Sequence, residues 1–199
     1  MIYTRRSAWL SMMAVAVLAG CAQPMATSST APAAPAGTTM VGGAAMYPTK
    51  NIIENAVNSK DHTTLVAAVK AAGLVDTLEG PGPFTVFAPT NAAFAALPAG
   101  TVDTLLKPEN KAKLTAVLTY HVVPGRLTTA DLNKLMAANG GRAVLTTVNG
   151  GTITVIRDAM GTLQVVDSKG RPAVITVPDV IQSNGVIQVI NSVLLPPGG

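Results

Sequence analysis

The spacing of apolar residues changes halfway along the chain, and this change restricts the fold more than any other feature of the sequence. Up to Leu135 apolar side chains recur every three or four residues, as they do on the buried face of a helix. From Ala143 onward they fall in short runs rich in Val, Ile and Thr, which favour β-strands. Helices followed by strands, without regular alternation, predict an α+β domain.

Glycine, proline and capping residues divide the helical half into short segments. A helix through Ala72 is expected to end at Gly73, and Asp61 or Thr63 would cap its beginning. The sequence Gly80-Pro81-Gly82-Pro83 then breaks the chain sharply. Further helices are predicted at Leu74–Leu78, around Phe94 with a cap at Thr90 or Asn91, at Thr101–Leu106, at Asn110–Tyr120, and from Thr128 or Thr129 through Leu135.

One predicted strand, Phe84–Phe87, lies among the helices and ends at Pro89. The other predicted strands are Ala143–Val148, Thr152–Arg157, Leu163–Asp167, Val174–Val177 and Val186–Ile190. Asn149-Gly150-Gly151 and Asn184-Gly185 have the composition of hairpin turns. The second half is therefore expected to form a strand-rich wedge that the C-terminal strand closes.

Three stretches resemble the signatures of the fasciclin domain, an extracellular module associated with adhesion. They are Phe84–Pro98 (FTVFAPTNAAFAALP), Thr119–Gly125 (TYHVVPG) and Ser183–Pro196 (SNGVIQVINSVLLP). The three occur in family order, and the resemblance extends over residues 46–196. It implies a fasciclin-like fold in a single copy, with N-terminal helices packed on a strand-rich β wedge.

Residues 1–20 have the composition of a lipoprotein signal peptide. Arg5 and Arg6 precede the apolar run Ala8–Leu18, which is shorter than the roughly 20 residues that a membrane-spanning helix needs. The sequence Leu18-Ala19-Gly20-Cys21 resembles the lipobox of bacterial lipoproteins, which implies cleavage before the cysteine and its acylation. The alternative is an ordinary signal peptide followed by an incidental free thiol.

Acylation of Cys21 would attach the exported protein to a membrane. Each buried methylene contributes about 0.8 kcal/mol, so two or three acyl chains hold firmly where one binds reversibly. In the Gram-negative sorting rule an Asp after the cysteine favours the inner membrane, so Ala22 favours the outer membrane, facing the periplasm or the outside. Cys21 is the only cysteine, so the domain is expected to be stabilised by its core without disulfides.

Residues 21–45 are expected to form a flexible tether, followed by the domain at 46–196 and a short tail at 197–199. Residues 26–39 consist only of Ala, Pro, Ser, Thr and Gly. Such a composition does not bury enough apolar surface to offset the entropy lost on ordering. The tether would hold the domain away from the membrane. The alternative is an unstructured segment without such a role.

Neither charge nor motifs indicate nucleic-acid binding or catalysis. The formal net charge of +4 falls to +2 when Arg5 and Arg6 leave with the signal peptide, and the remaining basic residues are scattered. Two histidines and one cysteine do not provide a Cys/His zinc site. The chain has no Gly-x-Ser-x-Gly elbow and no P-loop, and its carboxylates form no close motif. We therefore predict no enzyme activity, no cofactor, no metal and no nucleic-acid partner.

The pair Tyr120-His121 is the first candidate site for a partner. By the resemblance, it belongs to the ligand-binding motif attributed to fasciclin domains. The alternative for His121, which we favour because its neighbours are apolar, is a core histidine whose ring nitrogens are hydrogen-bonded within the protein. His62, near a predicted helix start, is expected to be a solvated surface residue.

The segment VPDVI at 177–181 is the second candidate. In human adhesion members of the family, an acidic-Pro-Asp-Ile-Met stretch at this place is linked to integrin recognition. Pro178 and Asp179 match that stretch, Val180 and Ile181 are only similar, and a valine replaces the acid. An integrin is not a natural partner for a free-living bacterium. The alternative is that Pro178 and Asp179 shape the entrance to the last hairpin.

Many family members have His and Asp where this chain has Gln188 and Asn191. Both amides keep hydrogen-bonding capacity but do not titrate, so no role that depends on pH or a metal is expected there. The sequence thus predicts adhesion or interaction at the cell envelope, with another cell, a matrix polymer or a protein as partner. The alternatives are a periplasmic binder of a small ligand or glycan, and a structural envelope protein. The chain has few aromatic residues, which argues against a sugar-stacking surface.

Overall fold

The computed structural model describes residues 37–98 and 100–197. The predicted signal peptide, Cys21 and the predicted tether up to residue 36 lie outside the described residues, as does most of the predicted tail. Within the two described ranges, no helix combines the length and apolarity needed to cross a membrane.

A short antiparallel hairpin, β1 (Thr39–Val41) and β2 (Ala44–Met46), precedes the helices. Val41 and Met46 are buried in the core. The turn fits closely against the next segment, because a Cβ at Gly42 would lie 2.5 Å from the Ser59 hydroxyl oxygen. The domain boundary expected at residue 46 is therefore corrected: residues 39–45 are part of the domain and not of a tether.

The helices after residue 62 begin and end close to their predicted bounds, whereas α1 (Ile52–Ala56) was not predicted. The helices are α1, α2 (Thr63–Ala72), α3 (Val75–Glu79), α4 (Asn91–Ala95), α5 (Thr101–Leu106), α6 (Lys111–Tyr120) and α7 (Thr129–Ala138), with 3-10 turns at Lys60–His62 and Pro108–Asn110. Gly73 ends α2 in the left-handed conformation, and the Thr90 hydroxyl caps α4 by accepting a hydrogen bond from the Ala93 amide. Helix α7 continues one turn past Leu135.

The cap of α2 comes from a distant residue. Neither Asp61 nor Thr63 caps this helix; instead, Asn91 Oδ1 accepts a hydrogen bond from the Thr64 amide at 3.0 Å. The Asn91 amide group also donates to the Lys60 carbonyl oxygen at 2.8 Å. The first residue of α4 thus fixes the beginning of α2, which satisfies a backbone donor that would otherwise be unpaired.

Seven strands form the main sheet in the order β4-β3-β9-β8-β7-β6-β5. They are β3 (Phe84–Pro89), β4 (Val122–Pro124), β5 (Arg142–Thr146), β6 (Thr152–Arg157), β7 (Leu163–Val166), β8 (Pro172–Gln182) and β9 (Gly185–Ile190). Strands β3 and β9 pair in parallel and the other neighbours are antiparallel, so the first and third sequence signatures lie side by side. A hydrogen bond of 2.8 Å from the Val148 amide to the Val122 carbonyl oxygen brings the chain after β5 onto β4.

Strand β3, which lies second from one edge of the sheet, separates two apolar clusters. Because successive side chains of a strand point to opposite faces, Val86 and Ala88 join one cluster and Phe87 joins the other. The first cluster lies against α1, α2 and α6, and the second lies between α7 and strands β5 to β8. The predicted α+β class is confirmed.

Candidate functional site

Tyr120 and His121, at the end of α6, lie in the interior with exposed fractions of 0% and 2%. The Tyr120 hydroxyl donates to the Thr152 carbonyl oxygen at 2.7 Å and accepts from the Ser168 amide at 3.0 Å. The ring lies against the turn before β6, where a Cβ at Gly151 would be 2.7 Å from Tyr120 Cε2. Tyr120 therefore joins α6 to two loops of the wedge.

His121 is a neutral core residue with both ring nitrogens hydrogen-bonded. Nε2 accepts from the Leu194 amide at 3.0 Å, so the proton is on Nδ1, which donates to the Val117 carbonyl oxygen at 2.8 Å. Burial lowers the pKa of His121 to about 4, although the Val117 carbonyl and the Asp167 charge act in the opposite direction. This geometry agrees with the interpretation of His121 as a core histidine.

Asp167, which the sequence analysis did not single out, holds the amide adjacent to that of Leu194. Its Oδ2 accepts from the Leu195 amide at 3.3 Å and from Arg171 Nε at 2.9 Å. Burial alone would raise the pKa of Asp167, but hydrogen bonds from the Arg171 backbone and side chain and from other amides hold it below the usual value. We call the hydrogen bonds from Leu194 and Leu195 to His121 and Asp167 the C-terminal latch.

His62 is buried, with 3% of its surface exposed, so the prediction of a solvated side chain is wrong. Its Nδ1 lies 2.9 Å from the Ser59 hydroxyl, which also donates to the Val41 carbonyl oxygen at 3.3 Å. Burial lowers the pKa of His62, while the Asp61 charge and the Ala88 backbone raise it. The cause of the error is hairpin β1–β2, which covers this side chain and was assigned to the tether.

The His62 ring borders an enclosed apolar cavity of about 30 Å³ between α1, α2 and the sheet. Its Nε2 has no hydrogen-bond partner among the described residues. A cavity of this size has room for one or two water molecules, and its lining is apolar apart from His62 and His121. The space is too small for the ligand of a small-molecule binding protein.

The Pro178-Asp179 segment forms an irregularity in β8. The register with β9 shifts between Val177 and Val180, and Asp179 has a φ of 54°. Asp tolerates this conformation better than most residues do. Its Oδ1 accepts from the Thr129 amide at 2.7 Å and from Gln188 Nε2 at 3.1 Å, and its own amide donates to Gln188 Oε1 at 3.1 Å.

The loop that follows the Tyr-His pair is held in place by buried polar side chains. The Thr85 hydroxyl donates to the Gly125 carbonyl oxygen at 2.6 Å and accepts from the Leu127 amide at 2.8 Å. Gln188 Nε2 donates to the Leu127 carbonyl oxygen at 3.2 Å, and Asp179 holds the first residue of α7. We call residues 124–129 the braced loop.

The structure thus brings the two sequence-predicted candidates together, but only part of each reaches the surface. Gln188 connects the braced loop, which continues from Tyr120-His121, to the bulge at Asp179. Pro178 is exposed and Asp179 and Ile181 are partly exposed, whereas Tyr120, His121 and Val180 are buried. A partner on the surface would not contact those three buried side chains in this conformation.

The braced loop and the bulge are joined through Gln188, and we call the exposed side chains of these two segments the braced face. It consists of Pro124, Arg126 and Pro178. Arg126 has no carboxylate within ion-pair distance among residues 37–98 and 100–197. In the same described part of the chain, no group of three or more His, Cys, Asp or Glu side chains is arranged to hold a metal ion.

Comparison with known proteins identifies the family. The profile of the fasciclin domain matches residues 60–196. This chain therefore belongs to the fasciclin domain family.

Proteins of several organisms are similar to this chain. The protein sll1483 of Synechocystis sp. is 48% identical over 159 residues, which cover 79% of this chain and 80% of that protein. The cell surface glycolipoprotein MPB83 of Mycobacterium bovis is 32% identical, with 96% of this chain and 94% of that protein covered. A solved structure of a FAS1 domain pair from the insect cell adhesion molecule fasciclin I matches with a TM-score of 0.66 and 20% identity. The match covers 73% of this chain and 51% of that chain, and it shows the fold.

Proposed function

We propose that this protein is a lipid-anchored adhesion or interaction module of the cell envelope, which binds another cell, a matrix polymer or a protein partner. The lipobox-like sequence ending at Cys21 supports the anchor. The similarity to a cell surface glycolipoprotein and to a cell adhesion molecule supports an exported protein that acts by contact. Outer-membrane attachment and the absence of catalysis belong to the same proposal.

The braced face is the surface proposed to make the contact. A single observation carries this assignment. Thr85, Gln188 and Asp179 fix the backbone of the braced loop by hydrogen bonds, while part of the loop is exposed. Ordering a flexible side chain on binding costs about 0.5–1.5 kcal/mol, so a loop that is already ordered binds with a smaller entropic loss.

Arg126 gives this face a feature that a partner would recognise. An arginine side chain offers five donors in a planar arrangement and is enriched among residues that dominate interface energies. It is exposed, and no carboxylate of the described residues pairs with it. A partner with carboxylate or carbonyl groups would supply the missing acceptors. Many tethered copies would add avidity to a weak single contact.

The test measures retention of beads coated with the chain from Ala22 to Gly199 on cells and matrix of the source organism. Arg126→Ala is expected to reduce specific retention about fivefold or more, since a central arginine contributes over 1 kcal/mol. The matched control is Arg142→Ala, which removes an exposed arginine of β5 that does not belong to the braced face. Circular dichroism would verify that both variants are folded.

Three outcomes would count against the proposal. Equal losses in the two arginine variants would indicate nonspecific charge attraction, and undiminished retention of Arg126→Ala would exclude the braced face. A folded protein without saturable retention would favour a structural role or a small ligand. The small-ligand alternative is favoured by an open cleft on another part of the domain.

A further inference from the structure

An open cleft of about 550 Å³ lies between α5, α6 and the chain that follows β9. Leu105 of α5, Val117 of α6 and Leu195 provide apolar lining, and Asn149 reaches it from the turn after β5. Small-molecule sites in proteins span roughly 300–1,000 Å³, so this cleft has the size of such a site. It is separate from the braced face, since none of the braced-loop residues lines it.

The neutral polar side chains of the cleft are amides and hydroxyls, and both amides are hydrogen-bonded to backbone carbonyl groups. Asn110 Nδ2 donates to the Thr104 carbonyl oxygen at 2.8 Å, and Asn149 Nδ2 donates to the Ala116 carbonyl oxygen at 3.0 Å. The hydroxyl-bearing residues Thr101 and Thr104 also line the cleft. These side chains offer hydrogen bonds to a polar group of a ligand. They are uncharged, so they would not repel an anion.

Lys113 is the single charged residue in the lining. It is exposed, and no carboxylate in the described part of the chain lies within ion-pair distance of it. Among the described residues no aromatic side chain lines the cleft, so a planar sugar face would have nothing on which to stack. One cation above an aliphatic surface is complementary to a molecule with a carboxylate at one end and an aliphatic chain at the other.

We propose that this cleft binds a small aliphatic carboxylate. The carboxylate interacts with the Lys113 ammonium group, and the aliphatic chain packs on Leu105, Val117 and Leu195. The Leu195 side of the site is ordered before the ligand arrives, because the C-terminal latch holds the amides of Leu194 and Leu195. This order reduces the entropy that binding must overcome.

The test titrates octanoate into the chain from Ala22 to Gly199 and follows backbone amide shifts by NMR. Saturable shifts are expected in α5, in α6 and at Leu195. Lys113→Gln is expected to weaken octanoate binding about fivefold, the upper range for an exposed ion pair. The matched control is Lys111→Gln on the same helix, whose ammonium group lies near Gly73 at the end of α2, and it is expected to leave binding unchanged.

Two further ligands isolate the two parts of the recognition. Octylamine carries the same chain with the opposite charge, and acetate carries the charge without the chain; both are expected to bind at least fivefold more weakly than octanoate. Equal binding of octylamine, equal effects of the two lysine variants, or no saturable octanoate shifts would each overturn the proposal. Arg126→Ala should leave octanoate binding unchanged, so failure of the adhesion proposal and failure of this one are distinguishable.

Discussion

Acidification between pH 6.5 and 4 is expected to destabilise the domain through His121. In the unfolded chain the imidazole has its ordinary pKa of 6.5, whereas burial in the folded protein lowers the pKa to about 4. Within this interval the unfolded state binds more protons than the folded state, so the free energy of unfolding falls as the pH falls. The difference between the two pKa values corresponds to a loss of about 3 kcal/mol, which is complete near pH 4.

The physical reason is the hydrogen bond that Nε2 accepts. The Leu194 amide donates to this nitrogen, and a proton placed there would make two donors face each other in a dry environment. Urea unfolding curves, followed by far-ultraviolet circular dichroism at intervals from pH 4.5 to 7.5, measure the effect. Between the two pKa values His121 should contribute up to about 1.4 kcal/mol per pH unit.

Burial also lowers the pKa of His62. Two variants therefore distinguish the contribution of His121 to the pH dependence from that of His62. Gln in place of His121 has an acceptor for the Leu194 amide and a donor for the Val117 carbonyl, but it does not titrate. His121→Gln should therefore remove most of the pH dependence of the free energy of unfolding. His62→Gln should leave the part of this dependence that comes from His121. An unchanged slope in His121→Gln would refute the reasoning. So would an NMR titration that placed the pKa of His121 at or above 6.5.

Two further predictions test the hairpin and the anchor. Met46→Ala should lower the free energy of unfolding by about 2–5 kcal/mol because this side chain is buried, while Met40→Ala, at a position that is 60% exposed, should change it little; equal urea midpoints for the two variants would contradict the assignment of the hairpin to the core. Cys21→Ser should move the protein from the membrane to the soluble fraction of lysed cells, because the proposed acyl chains are attached at this cysteine. Retention in the membrane fraction would contradict the predicted lipid anchor.

Local patterns were sufficient for most helices and strands but not for their long-range partners. The spacing of apolar residues and the Asn-Gly turns predicted β6 with its observed bounds and β9 within one residue. The cap of α2 was predicted wrongly because Asn91 lies 27 positions from its partner Thr64. No local pattern distinguishes a residue that caps its own helix from one that caps another.

Strand β8 is longer than predicted, and the positions of its two prolines explain the difference. The prediction covered only Val174–Val177, a run of Val, Ile and Thr that lies between the prolines at 172 and 178. In the structure Pro172 is the first residue of β8 and Pro178 lies in the bulge, which are two positions where a strand tolerates proline. The strand begins at Pro172 and continues past Pro178, and this continuation places Asp179 beside the braced loop.

The two polar networks of the domain differ in their response to pH, because His121 titrates and Gln188 does not. Gln188 is fully buried and uses both ends of its amide, accepting from the Asp179 backbone and donating to the Leu127 carbonyl and the Asp179 carboxylate. A histidine would change its hydrogen bonding near neutral pH, whereas glutamine keeps its donor and acceptor at every pH. Histidine titration therefore acts on the C-terminal latch through His121 and leaves Gln188 beneath the braced loop unchanged. Under mild acidification the latch should weaken before the proposed contact surface loses its support.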